Sequence, residues 1–193
     1  MEETELAERM AAGDRDAFGL LMEKYQNQAL RTAYLISGNY ADSEDIVQET
    51  FVACWMNRRA LRSPEAFRAW FYRTLSRNAW KICRKQKREQ PSEEIYPDRP
   101  DETGTGEESE TLKNVIRKEE EELLYTAVRS LPVKQRTMIV LYYFNQMSVR
   151  EIAGACGCLE GTVKSRLFHA KARLKAMLER DREGGKTAWT ILS

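Results

Sequence analysis

The chain has 193 residues, with 31 lysines and arginines against 30 aspartates and glutamates and one histidine, so its formal charge of +1 excludes neither acidic nor basic partners by itself. That length supports one good core or two small ones. The acidic start MEETELAERM excludes a signal peptide, the longest uncharged apolar run (TMIVLYYF) falls far short of the roughly 20 residues of a membrane span, and four scattered cysteines with one histidine make a poor zinc set.

Apolar residues recur at helical spacing from the start: Leu6, Met10, Phe18, Leu21, Met22, Tyr25, Leu30, Ala33 and Tyr34 predict helix over 5–37. SGNY at 37–40 is a turn signal. ADSEDIVQETFVACWMN then opens a helix, with Asp42 or Ser43 as N-cap and Ile46, Val47, Thr50, Phe51 and Cys54 as its inner face. LRSPEAFRAW is a break and a restart. Ser63 suits an N-cap, Pro64 suits the first turn, and the helix runs to about Arg88 with Phe67, Phe71, Leu75, Ala79 and Ile82 inward.

That last helix carries a second stripe. From Arg68 to Arg88 there are eight basic residues and no acidic one. Trp70, Arg73, Arg77, Trp80, Lys81, Arg84 and Arg88 recur every three or four residues. Cations hold phosphates, and aromatic faces stack on unpaired bases at roughly 1–3 kcal/mol per base. Either tryptophan alone fits a core position equally well; the combined stripe fits single-stranded or melting DNA.

Residues 90–111 contain three prolines and two glycines, and Glu93 to Glu110 includes eight acids against one arginine. This composition predicts a flexible acidic linker. About 20 such residues span at most roughly 65–70 Å, enough to hold two lobes well apart on one duplex. EEEELLYTAVRSL then reads as a helix with acid at its N-terminal end, and LPVKQRTMIVLYYF restarts after Pro132.

SVREIAGACGCLEGTVKSRLFHAKARL, residues 148–174, reads as two helices and a tight bend. Counting from Val149, Ala153 falls where two helices cross, Gly157 falls at the bend and Val163 packs inward, which is the spacing of a helix-turn-helix. Thr162, Lys164, Ser165, Arg166, Phe168, His169, Lys171, Arg173 and Lys175 then face outward. An ordinary helical hairpin with a solvated face is the bland alternative; the glycine and the basic second helix favour DNA. Cys156 and Cys158 read as a packing residue and a turn residue.

The fold class is therefore all-α: two small helical domains, 1–89 and 113–182, joined by a flexible acidic linker over 90–112 and followed by a tail at 183–193. One lobe suits a duplex major groove and the other suits opened strand. No P-loop, no HExxH and no nucleophile set is present, so neither an enzyme, a cofactor, a metal nor a small-molecule substrate is expected.

DAFGLLMEKY, SEDIVQETFVACW and FRAWFYRTLSRNAWKICRKQKR in the first lobe, with LPVKQRTMIVLYYFNQMSVREIAGACGCLEGTVKSRLFHAKARLK in the second, resemble the extracytoplasmic-function (ECF) sigma factors of the bacterial sigma-70 family across nearly the whole chain. The resemblance implies an alternative sigma factor that binds core RNA polymerase and directs promoter-specific initiation. It implies that the first lobe binds the β′ clamp helices, through Asp45, Gln48 and Glu49, and opens the minus-10 element. Asn57, Arg58, Arg59, Leu61 and Arg62 would form the pocket for a flipped-out base, beside Trp70, Arg73, Arg77, Trp80, Lys81 and Arg84. The second lobe would sit on the β flap and read minus-35 duplex through Thr162, Lys164, Ser165, Arg166, Phe168, His169 and Lys171. Promoter DNA, double-stranded and melted, is thus an expected partner, together with an anti-sigma factor, membrane-anchored in many members, and a cytoplasmic location. Family members commonly carry arginine where this chain has His169; imidazole lacks the two-pronged fork that grips guanine. The competing reading is a stand-alone helix-turn-helix regulator, which explains neither the tryptophan–arginine stripe nor the acidic linker.

Overall fold

The computed structural model describes residues 2–89 and 123–183; the acidic linker and the C-terminal tail lie outside them. Among the described residues every regular element is a helix.

The first lobe has four helices: α1 (Glu3–Ala12), α2 (Arg15–Ser37), α3 (Tyr40–Met56) and α4 (Phe67–Glu89). The single helical stretch expected over 5–37 is two helices. Gly13 takes a left-handed φ of 104°, and Asp14 caps α2 by accepting from the N–H groups of Asp16 and Ala17 at 2.9 and 3.1 Å. An apolar pattern continues across such a bend because both helices face one core. The cap of α3 also lies earlier than expected: Asn39, not Asp42 or Ser43, accepts from the Asp42 N–H at 3.0 Å. Ser43 is buried instead, 3.1 Å from the Ser37 hydroxyl. Ser63 makes no side-chain cap, and Pro64–Ala66 is a short 3-10 turn ahead of α4. An aromatic cluster fills the lobe. Phe71 lies 4.9 Å from Tyr25 and 5.4 Å from both Phe51 and Tyr72, ring centre to ring centre.

The second lobe runs through α5 (123–130), α6 (Val133–Ile139), α7 (Val149–Cys156) and α8 (Glu160–Glu183). A π-helical turn, Val140–Phe144, extends α6. Such turns insert one extra residue and re-aim the chain beyond them. The next residue is Asn145, which is 1% exposed.

Asn145 is where the lobes meet. Its side-chain oxygen accepts from Gln28 Nε2 at 2.9 Å and from the Tyr72 hydroxyl at 3.2 Å. Its Nδ2 donates to Thr32 Oγ1 at 3.0 Å, leaving the single Thr32 proton for the Gln28 carbonyl at 2.7 Å. Arg68 donates to the Asn145 carbonyl. A buried amide costs stability unless its valences are met, and these partners come from α2 and α4. Around this node the buried apolar residues of both lobes form one continuous cluster, with α4 packed on α7 and both α2 and α4 packed on α6. The lobes, which the linker is long enough to hold apart, are joined in this conformation.

Truncating Phe71 to alanine should cost about 3–5 kcal/mol, the usual range for a fully buried phenylalanine, read as a lower chemical-denaturation midpoint.

Candidate polymerase and nucleic-acid interfaces

The first candidate surface lies between α2 and α3. A groove of about 480 Å³ is lined by Phe18, Met22, Leu30, Val47, Phe51, Val52, Trp55 and Met56, with Gln48 and Glu44 on its polar margin. Val52 is 57% exposed and Met56 71%. Long apolar side chains left open along a groove mark a docking surface. Of the three carboxylates and amides singled out from sequence, Gln48 lines this groove, whereas Asp45 and Glu49 are exposed elsewhere on α3. Glu49 faces Lys81 at 3.6 Å, a pair open to water and therefore weak.

A second depression of similar size lies on α4. Leu61, Arg62, Trp70, Arg73 and Arg77 line it together with Thr74. This brings together five of the residues expected to handle opened strand. Arg59 and Arg84 are exposed outside it. Arg58 is employed within the lobe: its guanidinium lies 4.4 Å from the Trp55 ring and donates to the Trp55 carbonyl at 2.9 Å. Asn57 closes the end of α3 by donating to the Ala53 carbonyl at 2.8 Å. Trp80 is half-buried, its Nε1 donating to Thr137 Oγ1 of the second lobe at 2.9 Å.

The third surface is the hairpin α7–α8. Ser148 and Glu151 form a reciprocal capping box: the Glu151 N–H donates to the Ser148 hydroxyl at 3.2 Å, and the Ser148 N–H to the Glu151 carboxylate at 2.8 Å. Burial alone would raise the Glu151 pKa, but the Ser148 hydroxyl and N–H together hold it below the ordinary range. Gly157 ends α7 at a φ of 62°. Ile152, Ala153, Val163 and Leu167 are buried between the helices, as the spacing requires. Lys164, Ser165, Phe168, His169 and Lys171 are exposed on α8, with Thr162 and Arg166 half-buried at its edge. Phe168 is 70% exposed and meets the His169 ring edge-on at 5.6 Å. Cys156 is half-buried and its thiol is pushed up to about 12 by that burial, then by Cys158; Cys158 lies in the bend, where its N–H donates to the Ala153 carbonyl at 3.1 Å.

The descriptions "Sigma-70 region 2" and "Sigma-70, region 4" match residues 21–89 and 121–174. The sequence is similar to the ECF RNA polymerase sigma-E factor of Haemophilus influenzae, at 31% identity over 90% of this chain and 94% of that one. It is also similar to that of Escherichia coli K12, at 33% over 86% and 88%. The chain belongs to the ECF sigma factors. As such it is an alternative sigma factor that directs transcription initiation by RNA polymerase. Two solved structures share its fold. CnrH in complex with the cytosolic domain of CnrY has a TM-score of 0.68 at 25% identity, covering 93% of this chain and 98% of CnrH. The sigma factor RpoE in complex with the anti-sigma factor NepR from Bartonella quintana has a TM-score of 0.64 at 26% identity, covering 84% and 96%.

Sequence reasoning found the basic face of this sigma factor but missed the groove. Its signal was present: VQETFVACWM is apolar on more than one helical face, and a helix half-buried on one side only should not be. Val52 and Met56, four apart, are the excess.

Two glycines three residues apart should answer oppositely to alanine. At Gly157 the left-handed backbone disfavours a Cβ, so Gly157→Ala should cost about 1 kcal/mol. At Gly154 a Cβ meets nothing within 4 Å inside a helix, so Gly154→Ala should gain about 0.5–1 kcal/mol. Thermal unfolding of both variants reads the sign.

Proposed function

We propose a division of this sigma factor's work between its three surfaces, with residues 1–89 and 113–182 as the two working domains. The groove between α2 and α3 takes an apolar ridge of core polymerase, the β′ clamp helices. Gln48 lies at the groove margin, and Asp45 and Glu49, exposed elsewhere on α3, add acidic charge to the same helix. The supporting observation is an open apolar groove with Gln48 and Glu44 on its polar margin.

The α4 depression takes the melted minus-10 strand. Arg62, Arg73 and Arg77 meet phosphates, and Trp70 offers a face to an unstacked base; Leu61 supplies apolar wall. Arg59, Lys81 and Arg84 extend the basic track. Trp80 joins it when the second lobe moves away. Asn57 and Arg58 border this track from the loop after α3, where Asn57 Nδ2 donates to the Ala53 carbonyl and Arg58 Nη1 to the Trp55 carbonyl.

The second lobe sits on the β flap and places α8 in the minus-35 major groove. Thr162, Lys164, Ser165 and Arg166 lie near the α8 N-terminus, where backbone N–H groups favour phosphate. Phe168 and His169 reach base edges, Phe168 through apolar contact with a thymine methyl, and Lys171 follows the backbone. Polymerase does the chemistry, so this chain is not itself an enzyme. It works in the cytoplasm and is held by an anti-sigma factor. Among the described residues no helix is long and apolar enough to cross a membrane. A stand-alone regulator has no use for a groove shaped for a second protein.

In vitro transcription with bacterial core polymerase and a promoter library tests this reading. Val52→Glu and Met56→Glu should each weaken core binding by about tenfold or more, the cost of burying an unpaired carboxylate; unchanged core affinity in both would remove the groove from the polymerase interface. His169→Arg should shift the selected minus-35 sequences toward guanine at one position. An identical selection would make His169 a bystander.

A further inference from the structure

Two thiols sit at the bend of the α7–α8 hairpin, and none of the three surfaces uses them. All four cysteines are free. Cys54 is fully buried in the first lobe, and Cys83 lies on α4 with its thiol 3.7 Å from the Ile36 carbonyl. Cys156 and Cys158 differ from these in lying together. Cys156 is the last residue of α7, Gly157 is the left-handed residue that ends the helix, and Cys158 follows it. Both cysteines are half-buried, and both turn inward onto the buried apolar cluster.

The backbone sets their separation. A residue with helical dihedrals of either hand places the Cα atoms of its two neighbours about 5.4 Å apart. Gly157 has such dihedrals, φ 62° and ψ 43°. The commonest Cα separation across a disulfide is about 5.5–6 Å. The bend therefore holds this pair near the spacing of a disulfide, and the glycine between them has the backbone freedom that a small ring demands. The two thiols are not equivalent. Cys158 lies between Gly157, which is exposed, and Leu159, which is 80% exposed, so a small oxidant reaches it. Burial pushes the Cys156 thiol up to about 12, with Cys158 adding to the rise and Arg166 opposing it. Cys156 therefore keeps its proton, and Cys158 is the thiol placed to react first.

We propose that Cys156 and Cys158 are a redox modification site: hydrogen peroxide joins them in a reversible disulfide that switches off the hairpin's reading of DNA. The Cys158 sulfur attacks peroxide; an S–O bond forms, the O–O bond breaks, and the Cys158 proton leaves with the departing oxygen as water. The Cys156 sulfur then attacks the resulting sulfenic sulfur. The S–S bond forms, the S–O bond breaks, and the Cys156 proton leaves with that oxygen as a second water. The thiol pair is oxidised and the peroxide reduced. Joining the sulfurs draws both side chains from their packed positions. The Cys158 N–H closes α7 by donating to the Ala153 carbonyl at 3.1 Å, and α8 opens at Glu160, so a shift at the bend passes straight into the crossing of the two helices. Thr162, Lys164 and Arg166, in the first turns of α8, are re-aimed by it. This consequence rests on the assignment of α8 to the minus-35 groove; formation of the bond does not. A disulfide exposed at a bend exchanges with cellular thiols, which restores reading.

The full chain is treated with hydrogen peroxide, the peroxide is removed with catalase, and untreated core polymerase is added only then. Trypsin cuts after Arg150 and Lys164, so one peptide, 151–164, carries both cysteines. Its mass should fall by two hydrogens after peroxide and recover with dithiothreitol. Transcription from promoters selected by the reduced protein should drop about fivefold or more, the loss of one base contact, and should return with dithiothreitol. Core binding, a property of the first lobe, should not change. Cys156→Ala and Cys158→Ala should transcribe as reduced wild type does and lose the response to peroxide; if either fails to fold, wild type taken through oxidation and reduction carries the test alone. Three results overturn the proposal. The peptide takes up oxygen or stays unaltered instead of losing hydrogen; or the bond forms and transcription is unchanged; or core binding falls in step with transcription, which puts the damage outside the hairpin. A promoter with a scrambled minus-35 element is run with the reduced protein. Equal transcription from it would count against the assignment of α8, whereas the peptide mass judges the thiol pair by itself.

Discussion

Helix α4 must satisfy more neighbours than one helix face can hold, and the architecture follows from how it does so. Phe67, Phe71, Leu75 and Ala79 bury one side in the first lobe. The opposite side carries Trp70, Arg73, Arg77 and Trp80, which cannot all be buried because cations without acid partners resist desolvation. Between the two sides Arg68 and Tyr72 reach Asn145. The helix is thus core, basic face and joint at once, and the second lobe docks on it by sharing the intermediate stripe.

The joint is polar at its centre and apolar at its margins. An apolar joint would have fixed the lobes permanently; a purely charged one would have been lost to water and salt. An amide whose hydrogen bonds are met only in one docking geometry specifies that geometry while adding little net energy. The π-helical turn before Asn145 belongs to the same device. It shifts the register after Phe144 so that Asn145, rather than an apolar neighbour, enters the gap between α2 and α4. The tryptophans show the consequence for binding groups. Trp70 lines an open depression, whereas Trp80 has its indole N–H satisfied by Thr137, and a half-buried tryptophan with a hydrogen-bonded N–H is well suited to exchange one partner for another.

Much of this architecture is legible in the chain. The hairpin is readable to the residue, because Ala153, Gly157 and Val163 answer local demands: a close crossing, a left-handed backbone and an inward face. The inner stripes of α3 and α4 are readable because burial imposes a 3.6-residue period. Helix ends are less so. Asn39 caps where Asp42 or Ser43 is expected, and Asp14 caps where no break is expected, since several polar residues near a turn can serve and only the backbone path selects one. The groove escapes notice because its α3 residues, Val47, Phe51, Val52, Trp55 and Met56, run on from the buried face of the same helix, so its edge is set only by where α2 stops covering it.

The sequence by itself determined the all-helical class, the family, the basic and acidic partition and the helix-turn-helix hairpin, because each depends on neighbours within a turn or two of chain. Tertiary structure alone decided which surfaces are open together. Gln28 and Asn145 are 117 residues apart and Trp80 and Thr137 are 57 apart, and no local pattern encodes a hydrogen bond across such a distance. A linker of that length permits the lobes to be apart or together; the complementarity of one buried amide to two helices selects together.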